Sequence, residues 1–209
     1  MKVKVCGLTE KRNIHQLLQQ RIDMMGLIFY EQSARMIHSN SELQNWIAGL
    51  PISKVGVFVN ETTEVILQKV KDFQLDFAQL HGNESPEQIK ELSSKIKIIK
   101  AFSVHDDFDF EQCLQYMHAS LFLFDTKGKM AGGNGIKFNW EVLEKYKGKT
   151  PFLLSGGIHL SDVIEIKKLE HPMLYGVDLN SGFELRPGIK NGRIIQQFIQ
   201  ELKRKDYAY

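Results

Sequence analysis

Cys6 closes one short apolar run, VKVCG, and Asp125 closes another, LFLFDTKG. A thiol has an ordinary pKa of about 8.5, so it can take a proton where its surroundings activate it. A carboxyl placed after four apolar residues is costly to bury without a purpose or a partner. Each residue also has an inert reading. An isolated cysteine is commonly a small buried hydrophobe, and Asp125 could instead cap the next turn or pair with Lys127.

Two further runs end in small residues, SGGI from Ser155 to Ile158 with Gly156 and Gly157, and NSG comprising Asn180, Ser181 and Gly182. Small residues let backbone N–H groups approach an anion closely, so this pair of turns reads as a phosphate cradle. Arg35, in FYEQSARMI, could offer a planar two-pronged donor to a carboxylate or make an ordinary surface salt bridge. Gln79 and His81, in AQLHG, are candidate hydrogen-bonding groups. The glycine-rich stretch KGKMAGGNGIKF is too polar for a core element and is consistent with a mobile loop over a site.

These residues need a scaffold that brings distant run-ends together. A short apolar run followed by an amphipathic stretch recurs about every 25 residues, eight times in all. The runs VKVCG, MMGLIFY, KVGVFVN, LDFAQLHG, KIIKAFSV, LFLFDTKG, PFLLSGGI and MLYGVDLNSG are nearly continuous, as strands covered on both faces are. Their aromatic residues are expected in the core.

Between the runs, Leu43, Trp46, Ile47 and Leu50 follow helical spacing, and Phe110, Cys113, Leu114 and Met117 repeat it, which assigns Cys113 to packing. Ser85, Pro86 and Gln88 supply an N-cap, a first-turn proline and a capping-box partner. A last helix is expected over about 191–204, with Ile194, Ile195, Phe198, Ile199 and Leu202 on one side, followed by a frayed DYAY tail. Eight strand–helix units with short connections predict a single-domain (β/α)₈ TIM barrel spanning 1–209. In such barrels the chemistry sits where strands end, so the polar residues closing the apolar runs become the candidates.

Composition agrees with one ordinary folded domain: 209 residues, 43% hydrophobic, 25% charged, formal net charge +2. Charges of both signs are interspersed, without the basic stripe that tracks nucleic acid. No segment approaches the roughly 18 apolar residues of a membrane span, and the start lacks a signal peptide's apolar region, so a cytoplasmic enzyme is expected. Two cysteines are too few for a disulfide framework. Oligomeric state is not legible, and a homodimer stays open.

Taken in order, KVCGLT, GLIFYEQSAR, VGVFVN, FAQLHGNE, FDTKGKMAGGNGIKFNW, LLSGGI and GVDLNSGFELRPGIKN resemble the phosphoribosylanthranilate isomerase family over nearly the whole chain. The resemblance implies an Amadori rearrangement in tryptophan biosynthesis, of N-(5′-phosphoribosyl)anthranilate to a carboxyphenylamino-deoxyribulose phosphate, without cofactor or metal. It implies that Cys6 is the general base, Asp125 the general acid and Arg35 the holder of the anthranilate carboxylate. Gln79 and Asp178 match further substrate contacts, and Gly156, Gly157, Asn180, Ser181 and Gly182 match the phosphate site. The chain departs from the family at Ala34 (commonly proline), Asn180 (commonly serine) and Asn191 (commonly aspartate), which puts substrate affinity in doubt and removes no catalytic group.

Three rivals are weighed. The sugar isomerase of histidine biosynthesis is expected to carry an aspartate where this chain has Cys6. Indole-glycerol-phosphate synthase is expected to use a catalytic lysine and glutamate, whereas Lys4 and Lys100 stand in strands here without a convincing glutamate partner. A binding barrel that had lost catalysis would keep the glycine turns and lose the acid or base.

Overall fold

The structure is a computed structural model that describes residues 1–126 and 139–204. Eight parallel strands close into a barrel in sequence order: β1 (Lys2–Val5), β2 (Met24–Ile28), β3 (Ser53–Phe58), β4 (Phe77–Leu80), β5 (Lys97–Val104), β6 (Leu121–Thr126), β7 (Phe152–Leu154) and β8 (Leu174–Leu179). Every apolar run named above contributes one strand. The ring closes where β1 pairs with β8, with Lys4 opposite Asp178 and Val5 opposite Leu179.

Because successive side chains of a strand point to opposite faces, each strand splits into an inner and an outer row. On β6 the outer row is Phe122 and Phe124, packed beneath the surrounding helices, while Leu121, Leu123 and Asp125 point inward. The barrel interior below the site is an apolar plug of Met24, Val55, Ile99, Ala101, Leu121, Leu123 and Leu153, closed underneath by Phe77. A larger shell joins the outer rows to the helices, and burying each of its phenylalanines contributes about 1.5–3 kcal/mol.

The outer elements are α1 (Lys11–Leu18), α2 (Ser41–Ala48), α3 (Thr63–Phe73), α4 (Pro86–Ser93), α5 (Val163–Lys168) and α6 (Gly192–Lys203). Ser85 caps α4 as expected, its hydroxyl accepting from the Gln88 N–H. The Gln88 side chain does not turn back to complete a capping box and instead donates to the Glu61 carbonyl, tying α4 to the end of β3. In α6, Ile195, Phe198, Ile199 and Leu202 are buried as the spacing predicts. The DYAY tail lies outside the described residues.

The α-helical face expected over Phe110, Cys113, Leu114 and Met117 does not form. Phe110–Tyr116 forms a 3₁₀ helix, in which residues three apart eclipse. Phe110 and Cys113 are therefore buried while Leu114 and Met117 are 54% and 72% exposed, off the face that an α-helix would have given them. Tyr175 likewise departs from the expected core, lying exposed near the start of β8.

Candidate active site

The pleat that fills the barrel also arms its mouth. The inner row of β1 carries Lys4 and then Cys6 just past the strand, the inner row of β4 leads from Phe77 to Gln79 and His81, and that of β8 leads to Asp178 and Asn180. Beyond Lys4 and Phe77, these side chains converge on one cavity at the carboxyl ends of the strands. Cys6, Gln79, Asp125, Gly156, Gly157, Asp178, Asn180, Ser181 and Gly182 all line it, beside Ile28, Tyr30 and Val57. A side chain at Gly26 would meet the Cys6 Sγ at 2.7 Å, so the neighbouring strand leaves room for the thiol.

The side of the cavity around Cys6 is built on charge. Lys4 is fully buried, and its Nζ donates to Asp178 Oδ2 at 2.8 Å. Burial opposes the Lys4 charge, yet Asp178 and the adjacent Cys6 thiol together hold Lys4 above its ordinary pKa. Burial is the largest influence and holds the Cys6 thiol above its ordinary pKa, while Lys4 and Lys190 pull it down and Asp178 opposes them. The other carboxylate oxygen, Asp178 Oδ1, is buried and has no hydrogen-bond partner among the described residues, and the same is true of Gln79 Oε1. Buried acceptors left open at a cavity wall suit a ligand that carries hydroxyl or N–H donors.

The side around Asp125 is a short chain of contacts. Gln79 Nε2 lies 3.0 Å from His81 Nδ1, and an amide nitrogen can only donate, so as placed the imidazole carries its proton on Nε2. That nitrogen lies 3.4 Å from Asp125 Oδ2. Asp125 Oδ1 accepts from the Thr126 N–H at 2.9 Å. That bond stays within β6 and caps no turn, and Lys127, the other partner considered, lies outside the described residues with the rest of KGKMAGGNGIKF.

The glycine turns complete the rim. Gly156 and Gly157 adopt φ of +90° and +61°. A side chain at Gly156 would also meet Asp125 Oδ1 at 2.9 Å, so this position keeps both a left-handed backbone and close contact with the acid. Neither turn presents a charged side chain, so the donors an anion would meet there are backbone N–H groups, the hydroxyls of Ser155 and Ser181 and the Asn180 amide.

Arg35 stands apart from the cavity lining, packed beside Gly7. Its Nε and Nη2 clasp the Glu184 carboxylate at 2.8–3.0 Å. Glu184 lies in a small hairpin after β8, formed by β9 (Glu184–Arg186) and β10 (Ile189–Lys190). Its carboxylate also accepts from Lys190 Nζ at 2.7 Å and from the Gly188 N–H at 3.0 Å. Burial alone would raise the Glu184 carboxyl, but Arg35 and Lys190 hold it below the usual carboxylate range. Lys190 Nζ reaches on to Asn180 Oδ1 at 2.7 Å, and Asn13 of α1 pins the Lys190 backbone through two hydrogen bonds. One network thus runs from Arg35 to the turn after β8.

Two of the three departures noted in the sequence have a structural account, and nothing in the structure explains Ala34. Asn180 spends its side-chain oxygen on Lys190, and Asn191 accepts from the Ile194 N–H as the N-cap of α6, where asparagine and aspartate serve equally. Glu184 and Lys190 escaped sequence reading because they are widely spaced charged residues in a loop that resembles a solvated surface. The Lys100–Glu84 pair, 2.8 Å apart, supplies the glutamate partner thought missing. It lies off the cavity lining, with Lys100 also donating to the Leu80 and Gly82 carbonyls, and it secures the turn after β4. Among the described residues no cluster of His, Cys, Asp and Glu could hold a metal ion, and no helix is long and apolar enough to cross a membrane.

Comparison with known proteins agrees with this architecture. The family model for N-(5'phosphoribosyl)anthranilate (PRA) isomerase matches residues 3–201. The N-(5'-phosphoribosyl)anthranilate isomerase of Parabacteroides distasonis is 43% identical over 206 residues, covering 97% of this chain and 93% of that protein. A crystal structure of monomers generated from the dimeric isomerase of Thermotoga maritima superposes with a TM-score of 0.84 at 32% identity, covering 97% of this chain and 98% of the other. Another isomerase structure, in complex with reduced 1-(o-carboxyphenylamino)-1-deoxyribulose 5-phosphate, gives a TM-score of 0.83 at 32% identity and the same coverage. With the match running through all eight strands and every residue of the cavity described, the chain belongs to the N-(5'-phosphoribosyl)anthranilate isomerase family.

Proposed function

We propose that this chain catalyses the Amadori rearrangement of N-(5'-phosphoribosyl)anthranilate to 1-(2-carboxyphenylamino)-1-deoxyribulose 5-phosphate, with Asp125 as general acid and Cys6 as general base. The observation that carries this reading is the convergence of a thiol, a carboxyl and two glycine turns on one cavity at the carboxyl ends of the strands.

In the first step Asp125 gives its proton to the furanose ring oxygen. The bond from that oxygen to C1 breaks as the anilino nitrogen's lone pair forms the iminium. The positive charge makes the C2 proton acidic, and the Cys6 thiolate removes it, its electrons forming the C1–C2 double bond of the enolamine. Tautomerisation then yields the ketone. Acid and base are needed in opposite protonation states, and the chain gives them different settings: two lysine charges act on Cys6, while Asp125 is held by a histidine and a backbone N–H.

The open oxygens of Asp178 and Gln79 would accept from sugar hydroxyls or the anilino N–H. Backbone N–H groups of Gly156, Gly157, Asn180, Ser181 and Gly182 would hold the phosphate. Arg35, fixed through Nε and Nη2 by Glu184, keeps Nη1 for the anthranilate carboxylate. We place the enzyme in the cytoplasm as one barrel domain, and the dimeric relative favours a homodimer.

A coupled fluorescence assay that generates phosphoribosylanthranilate in situ tests the reaction. Loss of its fluorescence on adding the wild-type protein, and not on adding Cys6→Ser, is the expected result. No turnover by well-folded wild-type protein would reject the reading.

A further inference from the structure

Four lysines are buried among the described residues: Lys4, Lys54, Lys100 and Lys190. Three have evident anchoring duties. Lys54 donates to the Leu50 and Ile52 carbonyls, Lys100 to two carbonyls and Glu84, and Lys190 to Glu184 and Asn180. Lys4 is different. It lies inside the barrel ring, where its ion-pair partner among the described residues is Asp178 of β8 and its register partner on β2 is Met24, a member of the apolar plug.

A buried ion pair in an otherwise apolar layer is seldom a gain in stability over well-packed hydrophobes of similar volume, because desolvating both charges offsets their attraction. The position of this one points to a task. Lys4 and Cys6 are two residues apart on one strand, so both point inward, with Lys4 immediately beneath the thiol. Asp178 is directly opposite Lys4 in the β1–β8 register and holds the ammonium group at that depth.

We infer that Lys4 is a positioning residue for the reaction: its ammonium group, anchored by Asp178 inside the barrel, stabilises the thiolate form of Cys6. The inference rests on the reading of Cys6 as general base and adds the residue that keeps that base usable.

The charged surroundings of the thiol can be followed around the ring. β1 supplies Lys4, β8 supplies Asp178, and the hairpin after β8 supplies Lys190. The adjoining strand surfaces of β2 and β3, with Gly26, Ile28 and Val57, are uncharged. Across the cavity, Asp125 of β6 and His81 beyond β4 act on Asp178. Both cations are paired, Lys190 with Glu184 and Lys4 with Asp178, and Lys4 pulls the thiol down more than Lys190 does. Its pull on the thiol outweighs the opposing effect of Asp178.

The test reads the thiolate directly. The chain has only two cysteines, so in a Cys113→Ser background Cys6 is the sole thiol. Iodoacetamide alkylation rates and thiolate ultraviolet absorbance are followed against pH for this parent, for Lys4→Met, for Lys4→Arg and for Lys4→Met/Asp178→Asn, with circular dichroism checking the fold. The double variant removes the pair as a unit and so leaves no orphaned buried charge. Losing an opposite charge at this range should move the midpoint upward by about one to three pH units in Lys4→Met, slowing alkylation at least tenfold at a fixed lower pH. Arginine should restore most of it, and the double variant should shift in the same direction by less. An unmoved midpoint in a folded Lys4→Met protein, or in the double variant if the single one does not fold, overturns the inference. Since neither readout needs turnover, failure of the base reading is seen separately, as near-normal turnover by Cys6→Ser.

Discussion

The two cysteines are both pushed up by burial, but they sit in regions that differ in what opposes that burial. Both are nearly inaccessible, 3% exposed at Cys6 and 1% at Cys113. Cys113 packs in the outer shell beneath the 3₁₀ helix, in a region rich in rings where Phe110, Phe124, Tyr146 and Phe152 stack edge to face or tilted. Burial, reinforced by Asp109, pushes its thiol up to about 12. Cys6 is buried too, but Lys4 and Lys190 work against that burial. Burial by itself raises a thiol; charge set beneath and beside it is what limits that rise at Cys6.

The sharpest way to break this contrast is to exchange the thiols for hydroxyls. Cys6→Ser should lower kcat by roughly 10² to 10⁴, with Asp125→Asn in the same range, while Cys113→Ser should leave kcat within about twofold. Comparable losses at both cysteines would mean that the loss at Cys6 reflects damaged packing.

Next in size is the charged rim. Arg35→Ala should raise KM roughly tenfold to a hundredfold with a smaller change in kcat, the worth of a charge-assisted bond to the substrate. An unchanged KM would confine Arg35 to its pairing with Glu184.

A smaller effect is expected at Glu184→Gln, which weakens the tie between Arg35 and Lys190. Stability should drop by about 2 kcal/mol at neutral pH. The sign of its pH dependence follows from the depressed carboxyl. The contribution is complete above the unfolded carboxylate value of about 4.3, and is lost as pH falls through the lower folded value. Thermal melts of wild type and variant should therefore converge in acid; a gap that stayed constant with pH would deny the carboxylate its charge-dependent role. Least of all, Cys113→Ala should cost about 1 kcal/mol of stability through lost burial and leave the kinetics alone, which a melt and one saturation curve would decide.

How much of this was legible in the residues differs by region for the same physical reason. The eight strands could be read because parallel barrel strands are covered on both faces and so appear as unbroken apolar runs. Cys6, Asp125 and the two glycine turns were legible because each interrupts such a run at its end. Lys4 also interrupts a run, yet a lysine inside VKVCG has no visible partner until the ring closes and brings Asp178 opposite. Glu184 and Lys190 lie outside any run, in a loop whose charges look solvated until the hairpin folds them together. The misread segment at Phe110–Tyr116 failed on period: three-residue and four-residue spacings coexist there, and only packing against the barrel selects the shorter.

The Lys4–Asp178 pair joins residues 174 positions apart, across the seam between the first and last barrel strands. Contacts of such long range must await closure of the whole ring, and proteins dominated by them fold slowly. The chemical setting of the thiol is therefore among the last things the chain acquires, and a fragment lacking β8 would have Cys6 without its ion pair. A circular permutant that linked α6 to β1 and opened the chain at a surface turn elsewhere would make this seam local, so that the setting of the thiol would form early in refolding instead of late.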